Sequence, residues 1–311
     1  MEEELGQICD LSSSQVFSFR FHYEWYALKL RIIVRKKRRD DMKKKVLLVA
    51  VMSLLVMSLM VGCKSKESGT LRVGLEAAYA PFNWTQTDDS NGAVPIDGSK
   101  EYAGGYDVEI AKRLAKALDK ELVIVKTDWY GLVPALNSGM IDVIMAGMSP
   151  TEDRKKAIDF TDNYYASDLV MVVKKGGPYE NATSIQDFSG AKITGQLSTF
   201  HETVIDQIEG VNKVTSMEDF GTMRVALEAG MIDGYVSEKP EGLSASAAND
   251  KLTMVEFTDG FKANPDDSAI AVGVKKGSKL TEKINTILAD ITEEERIAIM
   301  DEVIKNQPAT E

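Results

Sequence analysis

Apolar positions in the chain follow two spacings from about residue 70 onward. Short apolar runs predict strands at residues 71–75 and 122–125. Between these runs, apolar residues recur at helical spacing with basic residues between them, which predicts an amphipathic helix over residues 106–118. Strands that alternate with helices in this way favour a parallel α/β arrangement over a sandwich or a helical bundle.

One pattern occurs twice, at an offset of 91 residues. Residues 128–142 and 219–233 share an Asp-aromatic pair followed by a helical segment that ends Ala-Leu-x-x-Gly-Met-Ile-Asp. Each copy predicts a helix that ends at a glycine, Gly139 or Gly230, and a strand that starts near the Ile-Asp pair. Chance recurrence of helix-stop residues explains the glycine but not the shared Asp-aromatic pair. We therefore expect two similar βα halves.

Two further apolar runs, at residues 169–173 and 269–274, end in similar basic turns and are candidates for crossover strands. On that reading the chain builds most of one lobe, crosses to a second lobe, and returns. Lobe 1 is then expected to comprise residues 70–167 and 268–311, and lobe 2 residues 168–267. A ligand cleft is expected between the lobes, because domain interfaces and the carboxyl ends of strands are favoured ligand sites.

The N-terminal region has the features of an export signal. Three lysines precede an apolar run that is too short for the ~20 residues of a membrane-spanning helix, which predicts a signal peptide over residues 42–62. The following Gly-Cys junction resembles a bacterial lipobox, with Met60 in place of the usual leucine. Cys63 is therefore expected to carry a lipid, with residues 63–69 as a tether; the alternative is an ordinary thiol after a signal anchor. Residues 1–41 are expected to be a non-native upstream extension.

Charge and composition exclude several classes of function. The chain has 37 Lys and Arg against 48 Asp and Glu, and residues 63–311 hold 26 basic and 41 acidic side chains, which argues against a nucleic-acid partner. The chain has only two cysteines, so a thiolate metal site is not expected. Of its two histidines only His201 lies in the globular part, so a His-based catalytic site is not expected either. We expect no cofactor, no metal and no catalytic residue.

A candidate anion site follows the apolar run at residues 143–146. Ser149 is expected to cap a helix, with Glu152 completing a capping box. The free N–H groups and the helix dipole attract an anion, and Arg154 can add a bidentate contact to a carboxylate. The alternative is a capped helix in which Arg154 pairs with a neighbouring acid such as Asp153.

Aromatic residues cluster near the predicted strand ends. Tyr79, Phe82 and Trp84 follow the first strand, and Trp129 follows a later one. Aromatic faces in loops can clamp an aliphatic or cationic side chain, and Glu76 beside them could pair with a positive group. The alternative for Phe82 and Trp84 is packing beneath the polar segment that follows them.

Four segments together resemble the polar-amino-acid-binding proteins of bacterial ABC importers, solute-binding protein family 3. They are residues 74–82, 104–108, 148–154 and 159–165, and the resemblance extends over about residues 70–306. It implies a two-lobed, periplasmic-binding-protein-like α/β fold of type II with two crossover hinge strands. It also implies a binding protein rather than an enzyme.

The resemblance implies a role for each matching residue. Arg154 would hold the ligand α-carboxylate, and Glu238 would hold the α-ammonium, although many relatives have Asp at that position. Tyr79 and Trp129 would sandwich the ligand side chain. An exposed acid beside Lys239 is the alternative for Glu238. The full implied set of ligand-binding residues is Glu76, Tyr79, Phe82, Trp129, Gly147, Met148, Ser149, Thr151, Arg154, Ser198, Thr199 and Glu238.

The implied ligand is a free polar amino acid, with Glu76 favouring lysine, arginine or a relative. Glutamine is the alternative ligand, because glutamine binders share most of this framework. The implied partners are a permease and, through it, an ATPase, with a monomer held at the extracellular face of the membrane by a lipid on Cys63. Two other classes remain open: a cyclohexadienyl-dehydratase-like lyase that uses Glu76 or Glu238, and a sensory ectodomain.

Overall fold

The structure is a computed structural model that describes residues 69–308 and contains 14 strands in that range. The expected upstream extension, signal peptide and Cys63 lie outside the described residues. The strands are β1 (Thr70–Leu75), β2 (Ala78–Tyr79), β3 (Asn83–Gln86), β4 (Val94–Pro95), β5 (Tyr102–Gly104), β6 (Glu121–Lys126), β7 (Val143–Ile144), β8 (Asp159–Ala166), β9 (Leu169–Lys174), β10 (Lys192–Thr194), β11 (Asn212–Lys213), β12 (Gly234–Glu238), β13 (Leu252–Val255) and β14 (Ala269–Val274).

Eight α-helices accompany these strands in the described range. They are α1 (Tyr106–Ala117), α2 (Leu132–Ser138), α3 (Glu152–Ala157), α4 (Phe200–Val204), α5 (Phe220–Ala229), α6 (Lys239–Ala248), α7 (Leu280–Ala289) and α8 (Glu293–Asn306). Helix α1 matches the predicted amphipathic helix to within one residue. In the part of the chain that is described, no helix is long and apolar enough to span a bilayer.

Two five-stranded sheets divide the fold into two lobes. The first sheet has the order β6-β1-β7-β14-β8, and the second has the order β11-β10-β12-β9-β13. We call the parts of the chain that carry them the first lobe and the second lobe. The predicted two-lobed α/β fold is therefore confirmed.

Both sheets are mixed rather than wholly parallel, which corrects one expectation. In each sheet four strands run in one direction and a single strand runs against them: β14, between β7 and β8, in the first sheet and β9, between β12 and β13, in the second. The reason lies in where β9 and β14 begin. Leu169, the first residue of β9, pairs with Glu238 at the end of β12, so β9 enters its sheet from the edge at which the parallel strands end.

The chain passes between the lobes at two neighbouring points. It leaves the first lobe through Ser167 and Asp168, directly before β9, and returns through residues 263–268, directly before β14. The Ser167 N–H donates to the Ser268 carbonyl at 3.3 Å, so the two crossings lie side by side. Strands β9 and β14 therefore each begin at a crossing.

The sequence repeat corresponds to the same local structure in both lobes. Gly139 and Gly230 end helices α2 and α5 in the left-handed region, with φ of 80° and 75°. The aspartate carboxylate of each Ile-Asp pair then accepts a backbone hydrogen bond from an adjacent strand. Asp142 accepts from the Arg72 N–H on β1, and Asp233 accepts from the Lys192 N–H on β10, both at 2.8 Å. The strands that follow start slightly later than predicted.

A small antiparallel sheet of order β2-β3-β5-β4 occupies the region expected to be a polar loop. Phe82, between β2 and β3, and Trp84, on β3 itself, are both buried, which agrees with the packing alternative for these two residues. The larger hydrophobic core includes residues of both lobes, since Phe220 and Tyr235 of the second lobe pack into it with Tyr79. A smaller core covers the other face of the second sheet.

Candidate functional site

A narrow cavity with about 10 Å³ of accessible space lies between the lobes. Its walls are formed by loops and helix starts that follow strands of both sheets. The lining residues are Tyr79, Trp129, Gly147, Ser149 and Arg154 from the first lobe, Gln196, Thr199, Phe200, His201 and Glu238 from the second, and Asp267 at the return crossing.

Arg154 is anchored by backbone carbonyls and an aromatic ring. Its Nη1 donates to the Ser149 carbonyl at 2.9 Å, its Nη2 lies 3.5 Å from the Ser198 carbonyl of the second lobe, and its guanidinium lies 4.9 Å from the centre of the Trp129 ring. Burial lowers the pKa of Arg154 to about 10, so the group stays charged at neutral pH. Within residues 69–308 the guanidinium donates to two carbonyl oxygens. A guanidinium has five N–H donors, so others remain for an anionic ligand.

The alternative for Arg154, an ion pair with a neighbouring acid, is wrong. Asp153 pairs with Lys156 at 2.7 Å, and Glu152 pairs with Lys155 at 3.1 Å. The two acids of the first turn therefore neutralise lysines on the outer face of helix α3.

The predicted cap of this helix is also wrong. Thr151, not Ser149, is the N-cap, and its hydroxyl accepts from the Arg154 N–H at 3.4 Å. The Ser149 carbonyl accepts instead from the Thr151 N–H and from the Arg154 side chain, both at 2.9 Å. These bonds turn the backbone at Ser149 toward the cavity, so the helix starts two residues later than a Ser149 cap would require.

Glu238 is at the centre of a buried polar cluster that joins the lobes. Tyr79 of the first lobe donates its hydroxyl to Glu238 Oε2, and His201 Nε2 lies 2.9 Å from Glu238 Oε1. Burial acts to raise the pKa of Glu238, but the imidazole and the Tyr79 hydroxyl outweigh it and hold this pKa below its ordinary value. Glu238 is 2% exposed, so the alternative of an exposed acid is wrong; the neighbouring Lys239 pairs with Glu256 at 2.6 Å.

Aromatic rings form one wall of the cavity. Tyr79 stacks on Phe220 of the second lobe with 4.3 Å between ring centres, and Phe82 packs behind it at 4.9 Å. Gly147 has a φ of 61°, and a Cβ there would lie 2.5 Å from the Tyr79 ring. A glycine at this position therefore lets the Tyr79 ring lie directly over the backbone.

Glu76 and Gln196 meet from opposite lobes next to this wall. The Gln196 Nε2 lies 3.4 and 3.5 Å from the two Glu76 oxygens, and Glu76 is 8% exposed. Burial, followed by the charge of Asp219, raises the pKa of Glu76 to about 8, with smaller contributions from Asp107 and Asp128. These carboxylates create a negative potential at Glu76, which favours a cation there.

The structure brings most of the predicted site residues together, but only some of them line the cavity directly. Seven of them line the cavity: Tyr79, Trp129, Gly147, Ser149, Arg154, Thr199 and Glu238. The others contribute from behind the walls. Ser198 offers its carbonyl to Arg154, the buried Met148 accepts from the Ala271 N–H through its carbonyl, Thr151 caps helix α3, Phe82 supports Tyr79, and Glu76 lies behind the lining residue Gln196.

Sequence reasoning missed four lining residues and one supporting ring. The lining residues are Gln196, Phe200, His201 and Asp267, and the supporting ring is Phe220. The Asp-aromatic repeat contained a signal for Phe220, because its partner in the first copy, Trp129, was already a candidate. The sequence offers His201 only as a weak candidate for a catalytic or zinc site, not as a residue of the ligand cavity. Among residues 69–308, no group of three or more His, Cys, Asp or Glu side chains is placed to hold a metal ion.

Comparisons with known proteins agree on one family. The family described as bacterial extracellular solute-binding proteins, family 3, matches residues 71–303. A probable histidine-binding protein of Campylobacter jejuni is 32% identical over 192 residues, which is 61% of this chain and 69% of that protein. The L-cystine-binding protein TcyJ of Escherichia coli K12 is 31% identical over 242 residues, 77% of this chain and 84% of its own length.

A solved structure shows the same fold. The amino acid ABC transporter substrate-binding protein from Streptococcus pneumoniae Canada MDR_19A, bound to L-arginine, superposes with a TM-score of 0.66 at 26% identity. The match covers 76% of this chain and 94% of that one.

Proposed function

The chain belongs to the bacterial extracellular solute-binding proteins of family 3, as a substrate-binding protein of an amino acid ABC transporter, and we propose that its ligand is a free amino acid with a cationic side chain. Closure of the two lobes around the ligand would then present it to a permease. The similar proteins bind, by their names, histidine, cystine and arginine, so a basic side chain is within the range of the family.

The observation that carries the proposal is the pair of opposite charges across one cavity. Arg154 of the first lobe and Glu238 of the second line the same cavity between the lobes. A free amino acid carries a carboxylate and an ammonium on one carbon, so it matches a guanidinium and a carboxylate that face each other at short range. Neither lobe alone supplies both charges, and a ligand that contacts both stabilises the closed form.

Support for a cationic side chain comes from the electrostatics of Glu76. Burial is the largest cause of its raised pKa, and the charges of Asp219, Asp107 and Asp128 add a negative potential at the carboxylate. A guanidinium or ammonium placed there would favour the ionised carboxylate, whereas a neutral amide would not. Trp129, which already stacks against one guanidinium, offers an aromatic face on the cavity wall.

The membrane attachment is part of the same proposal. The lysines and apolar run at residues 42–62, followed by Cys63, support export and lipid anchoring at the extracellular face. A lipid on Cys63 would then hold the binding lobes near the permease through the short tether. We further propose that the protein acts as a monomer.

Titration calorimetry of the purified protein with L-arginine, L-lysine and L-glutamine tests the ligand assignment. We expect arginine or lysine to bind at least about tenfold more tightly than glutamine, the size of one charge-assisted contact. Glu76→Gln should weaken arginine and lysine binding and leave glutamine nearly unchanged. Glu101→Gln, an exposed acid on the first lobe, is the matched control.

Two results would contradict the proposal at different levels. Tighter binding of glutamine, or a ligand preference unchanged in Glu76→Gln, would remove the cationic assignment but keep the amino acid site. If none of the twenty amino acids raises the melting temperature, the amino acid site itself is refuted, because a ligand that binds the folded state must stabilise it.

A further inference from the structure

We propose that His201 forms the ammonium site jointly with Glu238, and that only the neutral imidazole admits the ligand. In this inference, which rests on the proposed function, the ligand's α-ammonium takes the place of the proton on His201 Nε2. His201 is thus a positioning and specificity residue rather than part of the hydrophobic packing.

The imidazole of His201 is fixed on three sides. It is 6% exposed, its Nε2 lies 2.9 Å from Glu238 Oε1, and its Nδ1 lies 3.2 Å from Thr199 Oγ1. The Phe220 ring meets it edge to face with 5.6 Å between centres. Both nitrogens are therefore held against polar groups of the cavity wall.

The hydrogen bond of Thr199 determines which nitrogen carries hydrogen. The Thr199 hydroxyl donates to the Gln196 carbonyl at 2.7 Å, so its lone pairs remain to accept from His201. Nδ1 is thus the nitrogen that bears hydrogen in the neutral ring, and Nε2 presents a lone pair. A lone pair placed 2.9 Å from a carboxylate oxygen is repelled, and a proton between the two atoms relieves that repulsion. An ammonium that donates a separate hydrogen to each group relieves it as well, once the two groups have moved apart to admit it.

A proton and a ligand ammonium compete for this position. With a proton on Nε2, the imidazolium neutralises Glu238, and an incoming ammonium would meet a like charge. With Nε2 free, an ammonium can donate one hydrogen to the imidazole and another to the carboxylate, since it has three. Binding to the protonated site therefore releases one proton to solvent.

The charged and titratable groups that face His201 come from several elements. Glu238 ends strand β12, Tyr79 lies on β2 and binds the same carboxylate, and Arg154 reaches over from helix α3. Asp267 lines the cavity from the return crossing, and Glu202 lies beside His201 on helix α4, where it accepts from the Ser198 N–H. Of these residues, Glu238 makes the close contact with the imidazole. Its charge therefore has the largest effect on whether a proton or a ligand ammonium binds at His201 Nε2.

The test measures the affinity for L-arginine, L-lysine and L-glutamine between about pH 5 and pH 7.5, where the α-ammonium of the ligand stays protonated and histidine titrates. The amino acid that binds most tightly at the upper pH serves as the probe. We expect the wild type to bind it about tenfold more weakly at about pH 5, the size of one lost charge-assisted contact.

His201→Gln should remove most of this pH dependence, because the amide can still contact both Glu238 and Thr199 but does not titrate. Its affinity at the upper pH should lie within about tenfold of the wild type. Glu76→Gln is the second variant. Any pH dependence of the affinity that comes from Glu76 is absent in it, whereas the pH dependence that comes from His201 remains.

A direct readout on the wild type makes the test independent of how the variant folds. Titrations near pH 6 in two buffers of different ionisation enthalpy count the protons released on binding, and glutamine as the titrant excludes a charged side chain at Glu76. Release of a substantial fraction of one proton supports the proposal, and no release overturns it.

The variants separate the remaining outcomes. An unchanged pH slope in His201→Gln, or an equal loss of affinity at every pH, would show that His201 only supports the wall, and this would overturn the inference. If the wild type binds none of the three amino acids at the upper pH and none of the other amino acids stabilises it, the proposed function fails first, and the inference fails with it.

Discussion

Arg154 shows at the scale of a residue how one side chain can serve the ligand and both lobes. Its contacts are the Ser149 carbonyl, the Ser198 carbonyl and the Trp129 ring, so the group is oriented before any carboxylate arrives. An oriented guanidinium loses less freedom on binding than a mobile one, which increases the affinity that each hydrogen bond contributes.

Replacement of this side chain is the most direct test of the site. Arg154→Ala should weaken amino acid binding by about 10- to 100-fold, equivalent to roughly 1.5–3 kcal/mol for a charged hydrogen bond. Arg154→Lys should lie between, because an ammonium keeps the charge but not the planar pair of donors. Calorimetry reports both, with Arg113→Ala, an exposed arginine on helix α1, as the control. An unaltered affinity in Arg154→Ala would refute the site.

Glu76 predicts a pH dependence of stability that needs no ligand. Its pKa is about 8 in the folded protein against 4.5 ordinarily, so between these values the folded state holds a proton that the unfolded chain releases. Stability should therefore fall as the pH rises through this window. Glu76→Gln removes the titration, and its melting temperature should exceed that of the wild type near pH 8 and approach it near pH 5. An equal difference at both pH values would contradict this origin.

The sequence predicted residues whose type is tied to a chemical task, such as Arg154, Glu238 and Glu76. It did not predict Gln196 or Asp267, because each reaches the cavity only through the path of the loop or crossing that carries it. It also misplaced the helix cap at Ser149, since the choice between Ser149 and Thr151 depends on a carbonyl that binds a side chain five residues away.

At the scale of elements, helices α2 and α5 end alike because each is followed by a glycine with positive φ. Gly139→Ala should cost about 1–2 kcal/mol of unfolding free energy, the penalty for a side chain in the left-handed region, since no atom lies within 4 Å of the added Cβ. Gly139→Asn is the matched variant and should cost less, because Asn tolerates this conformation. Denaturant unfolding measures both. Equal losses for the two variants would point to a different cause.

Periodicity predicted long elements well and short ones poorly. Helix α1 and strand β14 were predicted to within one residue, because each has enough apolar positions to reveal its spacing. The sheet formed by β2, β3, β4 and β5 was missed, since its strands have two to four residues and form only through pairing across the segment. The antiparallel direction of β9 and β14 followed from the crossings, which local pattern does not encode.

At the scale of the whole molecule, two groups of contacts between the lobes stand out among residues 69–308. One group surrounds the cavity and joins Tyr79 to Glu238 and Glu76 to Gln196. The other lies away from it, where the Ser244 hydroxyl and carbonyl bind the Gln307 amide at 2.5 and 2.9 Å. The second group sits outside the proposed site, so it is expected to limit how far the lobes can separate while the cavity opens.

Hinge motion about the two crossings predicts a change in size on binding. Saturating L-arginine should lower the radius of gyration of the wild type in small-angle X-ray scattering, because the ligand favours the form in which it contacts both lobes. Arg154→Ala should show a smaller change at the same concentration. Identical scattering with and without ligand in the wild type would contradict closure.

The position of strand β14 also has a consequence for how the protein is made. This strand comes late in the chain, yet it lies between β7 and β8 in the first sheet. As the chain emerges N-terminus first, β8 therefore waits for its neighbour until more than a hundred further residues have followed, whereas the second lobe is one continuous stretch and can assemble earlier. We expect the first half of the chain to depend longest on protection from aggregation, and a chain truncated before β14 to retain order only in its second lobe.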